Sequence, residues 1–293
     1  MNPENKLIIN AAISGAWLGK KETPHLPLSV DEIVECSQRV REAGAAIVHI
    51  HARDRDQAPC TDPAVYGEIV EKIRRKTDLI ICVSLSGRFV RDIESRAAAL
   101  ASRPDMASLT LGSMNFSHQP SINAPEDIQT LARLIYAAEA VPELEAFDTG
   151  FINKANYLID HDILRPPFYF NIILGSLGTA PLDLTGLGHM VSMLPKGATW
   201  AATGLGRFQL DANVMALAAG GHVRVGLEDN IHYDRQRKEL ADNPQLVSRI
   251  ARIAREMGRE AATPQEARLI IGLPAGKANV KDLLLKQVAL SGK

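Results

Sequence analysis

Ser29-Val-Asp-Glu-Ile-Val-Glu-Cys-Ser-Gln-Arg-Val-Arg-Glu-Ala-Gly-Ala-Ala-Ile-Val-His-Ile-His-Ala-Arg-Asp54 holds a complete helix-to-strand unit together with its punctuation. Ser29 with Glu32 three residues on reads as a capping box, in which a hydroxyl and a carboxylate satisfy each other's backbone N–H groups at a helix start. Helical period runs from 30 to about 43, and Gly44 stands where a left-handed terminal residue is wanted. The short β-branched run at 46–51 then reads as a strand.

The same alternation extends in both directions. Strand-like runs fall at 7–12, 46–51, 79–85, 106–111, 143–147, 168–174, 199–202 and 223–227. Helical segments lie near 30–43, 63–76, 90–102, 125–140, 151–160, 182–194, 208–219 and 244–258. Thr263-Pro-Gln-Glu266 announces one more helix, and Gly220-Gly221 and Gly258 act as stop signals. Repeated βα units predict an α/β fold, a single (β/α)8 TIM barrel over residues 1–293 with a C-terminal helical extension. A doubly wound sheet is the competing architecture, but its Gly-x-Gly-x-x-Gly fingerprint is missing after the first strand, where the chain reads Ile13-Ser-Gly-Ala-Trp17.

Composition fits a globular chain: 293 residues, 46% apolar and 23% charged. With 33 Lys and Arg against 34 Asp and Glu, the net charge of -1 gives no general attraction to nucleic acid or an anionic membrane. No apolar run reaches membrane-spanning length, and the first residues lack the pattern of a signal peptide, so the expected location is the cytoplasm. Cys36, Cys60 and Cys82 are odd in number and widely spaced, which predicts free thiols. Met190 and Met193 read as core fillers, and Arg249, Arg252, Arg255 and Arg259 as a solvated face or a subunit contact in a homo-oligomer.

The chemistry begins at Ile47-Val-His-Ile-His-Ala-Arg-Asp54. Residues two apart on a strand share a face, so His49 and His51 project together. At the C-terminal end of a barrel strand they are either a metal pair or a hydrogen-bonded polar pair. The last strand, His222-Val-Arg-Val-Gly-Leu-Glu-Asp-Asn230, puts Arg224, Gly226 and Glu228 on one face by the same rule. Glu228 would then complete an open two-histidine, one-carboxylate site, as in a catalytic zinc or a non-haem iron enzyme. Asp229, turned from the metal, is a candidate base; the alternative for Glu-Asp-Asn is a solvated turn.

These segments, with Ala11-Ala-Ile-Ser-Gly15, Pro104-Asp-Met-Ala-Ser-Leu-Thr110, Asn115-Phe, Val141-Pro-Glu-Leu-Glu145 and Gly204-Leu-Gly-Arg207, together resemble the β-keto acid cleavage enzymes over residues 6–272. The resemblance implies a zinc-dependent barrel, another divalent metal being an alternative, that condenses a β-keto acid with acetyl-CoA to give acetoacetate and a new acyl-CoA. It implies His49, His51 and Glu228 as metal ligands, Asp229 as general base with Arg224 beside it, and Ser84, Ser108 and Glu145 near the substrate. Gly204, Gly206 and Arg207, after the seventh strand, are candidates for the CoA ester, because glycine amides, a helix start and a cation suit phosphate. Its partners are thus a small keto acid and a CoA ester. A non-haem iron oxygenase and a non-catalytic ligand-binding barrel are the competing functions.

The substrate's tail is where the resemblance gives least. In the best-described family member a glutamate after the first strand faces a substrate amine, and here Trp17 takes that position. Ser84-Leu-Ser-Gly-Arg88 adds a cation after strand three. Trp17 suits a neutral tail or a quaternary ammonium, and Arg88 a second carboxylate. A neutral or dicarboxylic keto acid is the expectation.

Overall fold

The structure is a computed structural model that describes residues 5–117 and 119–274. Among them, eight parallel strands close into a barrel in sequence order: β1 (Ile9–Ala12), β2 (Ile47–Ile50), β3 (Ile80–Val83), β4 (Met106–Thr110), β5 (Val141–Ala146), β6 (Tyr169–Leu174), β7 (Thr199–Gly204) and β8 (His222–Val225). Val223 on β8 sits opposite Ile9 on β1, which shuts the ring. Helices α1 (Val30–Glu42), α2 (Pro63–Lys76), α3 (Ile93–Ala97), α4 (Pro125–Ala137), α5 (Thr149–Asp160), α6 (Leu184–Ser192), α7 (Gln209–Ala218) and α8 (Asn243–Glu256) alternate with the strands. Every strand and helix expected from periodicity is present.

Local chemistry accounts for the boundaries. The Ser29 hydroxyl accepts from the Glu32 N–H at 3.2 Å, the Glu32 carboxylate accepts from the Ser29 N–H at 3.0 Å, and Gly44 takes φ +113° where α1 gives way to β2. Helix α3 is shorter than expected. The Asp92 carboxylate caps it through the Ser95 N–H at 2.8 Å, which delays its start, and a 3-10 turn follows at Ala98–Ser102.

Alternation divides the apolar residues into two cores. Outward-facing Val48, Ile50, Ile81, Val83 and Leu109 pack with the helices. Inward-facing Ile47, Ile80, Met106, Val141 and Tyr169 fill the lower barrel, where Ala267 and Ile271 of α9 (Pro264–Ile271) join them. Arg268 on α9 also reaches Asp105, just before β4, at 2.8 Å. The C-terminal extension therefore plugs the N-terminal end of the barrel as far as α9, and its continuation at 275–293 lies outside the described residues. The open end is the one formed by the C-terminal ends of the strands.

The arginine row divides. Arg249 and Arg259 are buried, Arg249 donating to the Tyr233 carbonyl and Arg259 to the Gly221 carbonyl at 2.7 Å, so only Arg252 and Arg255 face solvent. Met190 is buried as expected, the three cysteines are free, and no helix among the described residues is long and apolar enough to cross a membrane.

Candidate active site

The lower polar ring centres on Glu143, which is fully buried on β5. Its Oε1 accepts from Asn10 Nδ2 at 2.6 Å and Asn171 Nδ2 at 2.7 Å. Its Oε2 faces His49 Nδ1 at 2.7 Å and accepts from the Cys82 thiol at 3.3 Å. Burial by itself would raise this carboxyl, but the imidazole of His49 holds it down at about 2. Burial likewise opposes charge on His49, yet the Glu143 and Glu228 carboxylates bring that imidazole up to about 9. With Nδ1 engaged by Glu143, His49 turns Nε2 toward the open end.

The upper layer supplies the other donors. One hydroxyl pins His51, Ser14 Oγ accepting from its N–H at 2.9 Å and donating to its carbonyl at 3.1 Å. Its ring lies 5.3 Å from that of His49, centroid to centroid, and its Nε2 is 3.2 Å from Glu228 Oε1. Glu228 arrives by a different route from the one its spacing suggests. The strand β8 ends at Val225, and a turn at 226–230 carries the carboxylate inward, held by the Glu228 N–H on the Ala12 carbonyl at 3.2 Å. A Cβ at Gly226 would meet that same carbonyl oxygen at 2.1 Å, and one at Gly15 would meet Glu228 Cγ at 2.9 Å.

One donor atom from each of His49, His51 and Glu228 fits within a 4.8 Å set. His49 Nε2 and Glu228 Oε2 are buried without a hydrogen-bond partner, a costly state unless a cation is meant to take them up. His49, Cys82 and Glu143 are as close together, but burial pushes the Cys82 thiol well up and four donors already occupy the Glu143 oxygens. The first set fits a divalent metal, and the second is a hydrogen-bond network.

Arg224, only 2% exposed, ties the carboxylates together. Its Nε and Nη2 fork onto Asp229 at 2.9 and 3.2 Å, Nη2 also reaches Glu228 Oε1 at 2.7 Å, and Nη1 reaches Glu145 Oε1 at 3.3 Å. Glu228 is held well below the usual range: burial acts against it, and Arg224 and the two imidazoles outweigh burial. Asp229 goes the other way. Burial and the neighbouring Glu228 raise it despite Arg224, so the arginine orients this carboxylate more than it lowers its basicity. Glu145 is also raised, chiefly by burial, and accepts from Thr110 Oγ1 at 2.7 Å.

A cavity of about 530 Å³ opens above this cluster. Trp17, His51, Ser84, Arg88, Glu145, Gly206, Arg224, Glu228 and Asp229 line it, while His49 lies beneath. Three expected residues besides His49 do not line it. Ser108 sits one layer down with its hydroxyl accepting from the Leu85 N–H at 3.0 Å, and Thr110 takes the cavity-lining place on β4. Gly204 is a packing position, since a Cβ there would meet the Phe208 carbonyl oxygen at 2.3 Å. Arg207 is exposed, its guanidinium 4.8 Å from the Phe208 ring. Gly206 does line the cavity, but its N–H donates to the Asp229 carbonyl at 2.7 Å and is not free for a phosphate. Spacing missed Glu143 and Thr110, although each stands two residues from a residue it did select.

Comparison with known proteins gives a family profile described as beta-keto acid cleavage enzyme, matching residues 6–273. The chain is 38% identical over 273 residues to the 3-oxoadipate:acetyl-CoA acetyltransferase of Cupriavidus necator, covering 92% of this chain and 95% of that one. It is 36% identical to the 3-keto-5-aminohexanoate cleavage enzyme of Fusobacterium nucleatum, covering 92% and 98%. It is 30% identical to the 3-dehydrocarnitine:acetyl-CoA trimethylamine transferase of Rhizobium meliloti, covering 92% and 97%. Among solved structures, that of apo ObcA superposes with a TM-score of 0.76 at 21% identity, over 86% of this chain and 66% of that longer one, a likeness of fold.

Proposed function

Because the chain belongs to the β-keto acid cleavage enzyme family, we propose that it transfers the acyl group of a β-keto acid to CoA, with acetyl-CoA as co-substrate and acetoacetate as the second product. The bond made joins the keto acid's α-carbon to the acetyl carbonyl carbon. The bond broken joins that α-carbon to its original keto carbon, and CoA exchanges one acyl group for the other. The names of the acetyl-CoA-dependent relatives and the acidic cluster beneath the cavity support this reading.

His49, His51 and Glu228 are the proposed ligands of a zinc ion; the observation that carries the reading is the pair of buried ligand atoms His49 Nε2 and Glu228 Oε2, which have no hydrogen-bond partner and face each other at 3.8 Å. A divalent cation there would supply Lewis-acid stabilisation of charge developing on a keto oxygen. Asp229 takes the α-proton onto its carboxylate, which its raised affinity for protons favours. Arg224 holds that carboxylate in place by a fork onto both of its oxygens. Ser84, Thr110 and Glu145 line the cavity where the substrate's polar atoms would be received, and Glu143 orients His49 from below. Residues 1–293 form one catalytic domain in this reading, supported by the match over 6–273 and the closed barrel. The reading places it in the cytoplasm, supported by the free thiols, and as a homo-oligomer, supported by Leu177 on the cavity rim, which is 92% exposed.

The test is to incubate the metal-analysed protein with acetyl-CoA and a panel of β-keto acids. Acetoacetate and the matching acyl-CoA are expected in equal amounts, with one zinc per chain. Iron with oxygen consumption would favour an oxygenase, and no product with any acid a ligand-binding barrel. Asp229→Asn is expected to keep the metal and lose turnover about 10²-fold or more; loss of metal instead would reverse the roles of Asp229 and Glu228.

A further inference from the structure

Family membership leaves the substrate's tail open, and Trp17 and Arg88, read separately, point to different tails. In the structure they form one device. The Arg88 guanidinium carbon lies 4.9 Å from the Trp17 ring centroid, 4.2 Å from that of Phe116 and 5.7 Å from that of Phe89. All three distances are within the range of cation–π attraction. Trp17 and Phe89 also stack on each other at 6.2 Å. The aromatic surface that would receive a substrate ammonium is therefore already occupied by the chain's own cation.

The backbone at Arg88 is fixed on both sides, its N–H donating to Ser86 Oγ at 3.3 Å and its carbonyl accepting from Gln119 Nε2 at 3.1 Å. The guanidinium itself is treated differently from others near the barrel mouth. Arg53 donates to the Gly15 carbonyl at 2.7 Å, Arg96 to Asn123 Oδ1 at 2.8 Å, and Arg224 to three carboxylates. For Arg88, no described residue offers a hydrogen-bond acceptor or an ion pair to its guanidinium, and Nε is buried without a partner. A guanidinium held by its faces leaves its N–H edge to bind, and the shape of that edge matches a carboxylate. Burial lowers the pKa of Arg88 even though the Glu228 carboxylate opposes the shift, so an anion against its N–H edge would be favoured.

We propose that Arg88, braced by Trp17 and Phe116, binds a second carboxylate at the far end of the substrate, making this chain an enzyme for dicarboxylic β-keto acids. The inference rests on the cavity being the keto acid site proposed above, in which Arg88 and the metal ligands His51 and Glu228 line one volume. Neutral tails lose the ion pair, and an amine-bearing tail meets a like charge. Trp17 therefore acts on specificity by positioning Arg88.

The test compares binding of 3-oxoadipate, the neutral 3-oxohexanoate and 3-keto-5-aminohexanoate to the zinc-loaded full chain by calorimetry, without acetyl-CoA. The dicarboxylate is expected to bind at least about 10-fold more tightly than the neutral acid, as a charged hydrogen-bonded pair gives, and the amine most weakly. Arg88→Met should erase that preference and leave the neutral acid within about 2-fold, and Arg88→Lys should keep part of it, since charge survives and the fork does not. Equal binding of the dicarboxylate and neutral acid by the wild type would overturn the proposal. So would an equal loss for both in Arg88→Met, or an unchanged preference with a raised KM for acetyl-CoA, which would assign Arg88 to the thioester. A preference that depends on Arg88, in a protein that makes no acetoacetate, would sustain this inference and sink the proposed reaction.

Discussion

Glu143 sets the orientation of His49, and the consequence is testable on the metal alone. A carboxylate on Nδ1 at 2.7 Å fixes the tautomer and makes Nε2 the stronger donor. Glu143→Gln keeps an acceptor but removes the charge, so zinc affinity, measured by competition with a chromophoric chelator, should fall about 10–100-fold. An unchanged affinity would mean that His49 is oriented by packing. His49→Ala gives the limiting case, with no zinc held at this site. The same strand shows where sequence reading stops. Glu143 and Glu145 are two apart and share a face, as do Ser108 and Thr110. Periodicity finds the face, but depth along the barrel axis depends on strand tilt and stagger, which no spacing within one strand encodes. Thus Glu145, selected from the sequence, lines the cavity, Glu143 beneath it is not selected by spacing, and Ser108, expected at the substrate, lies one layer below the cavity.

At the scale of elements, the turn after β8 bears the greatest constraint. Glu228 and Asp229 are adjacent and share Arg224, yet only Glu228 reaches the histidines, because the chain leaves the strand at Gly226 and folds back, with the Asn230 N–H on the Gly226 carbonyl at 3.1 Å. Period-two counting expects Glu228 beside His49 and His51, and the turn brings it near them by another path; Asp229, read as turned from the metal, is not one of those three donors. Caps and stops were legible because they are local, as at Ser29 and Gly44. The glycines at 204 and 206 were not, because the Phe208 carbonyl that excludes a side chain at Gly204 is visible only in three dimensions. Gly226→Ala should therefore cost about 3 kcal/mol or more in chemical denaturation and weaken zinc binding, since the Ala12 carbonyl at 2.1 Å cannot yield easily. Gly220→Ala, at φ +80° with open space around it, should cost about 1–2 kcal/mol and leave zinc binding unchanged. Equal effects on zinc would show that the turn does not position Glu228.

For the whole molecule, a net charge of -1 conceals a strong internal imbalance. Glu143, Glu145, Glu228 and Asp229 converge in the barrel, and the guanidinium of Arg224 is the permanent cation bonded to three of them. Burying such an excess is expensive unless protons or a metal offset it. The other end of the barrel is closed by apolar packing and by α9, so the carboxylates lie above that plug. Stability should then follow metal supply. Zinc at 100 times its dissociation constant adds about 2.7 kcal/mol, or roughly 5 °C in Tm for a chain of this size, and a chelator should reverse the shift. Scanning calorimetry of the full chain with graded zinc tests this, with His49→Ala as the control that no longer responds. A variant that gained as much as the wild type would place the stabilising cation elsewhere, and the charge that Arg224 leaves unbalanced would then have to be offset by protons, with Asp229 and Glu145, whose affinities are raised, the first to take them.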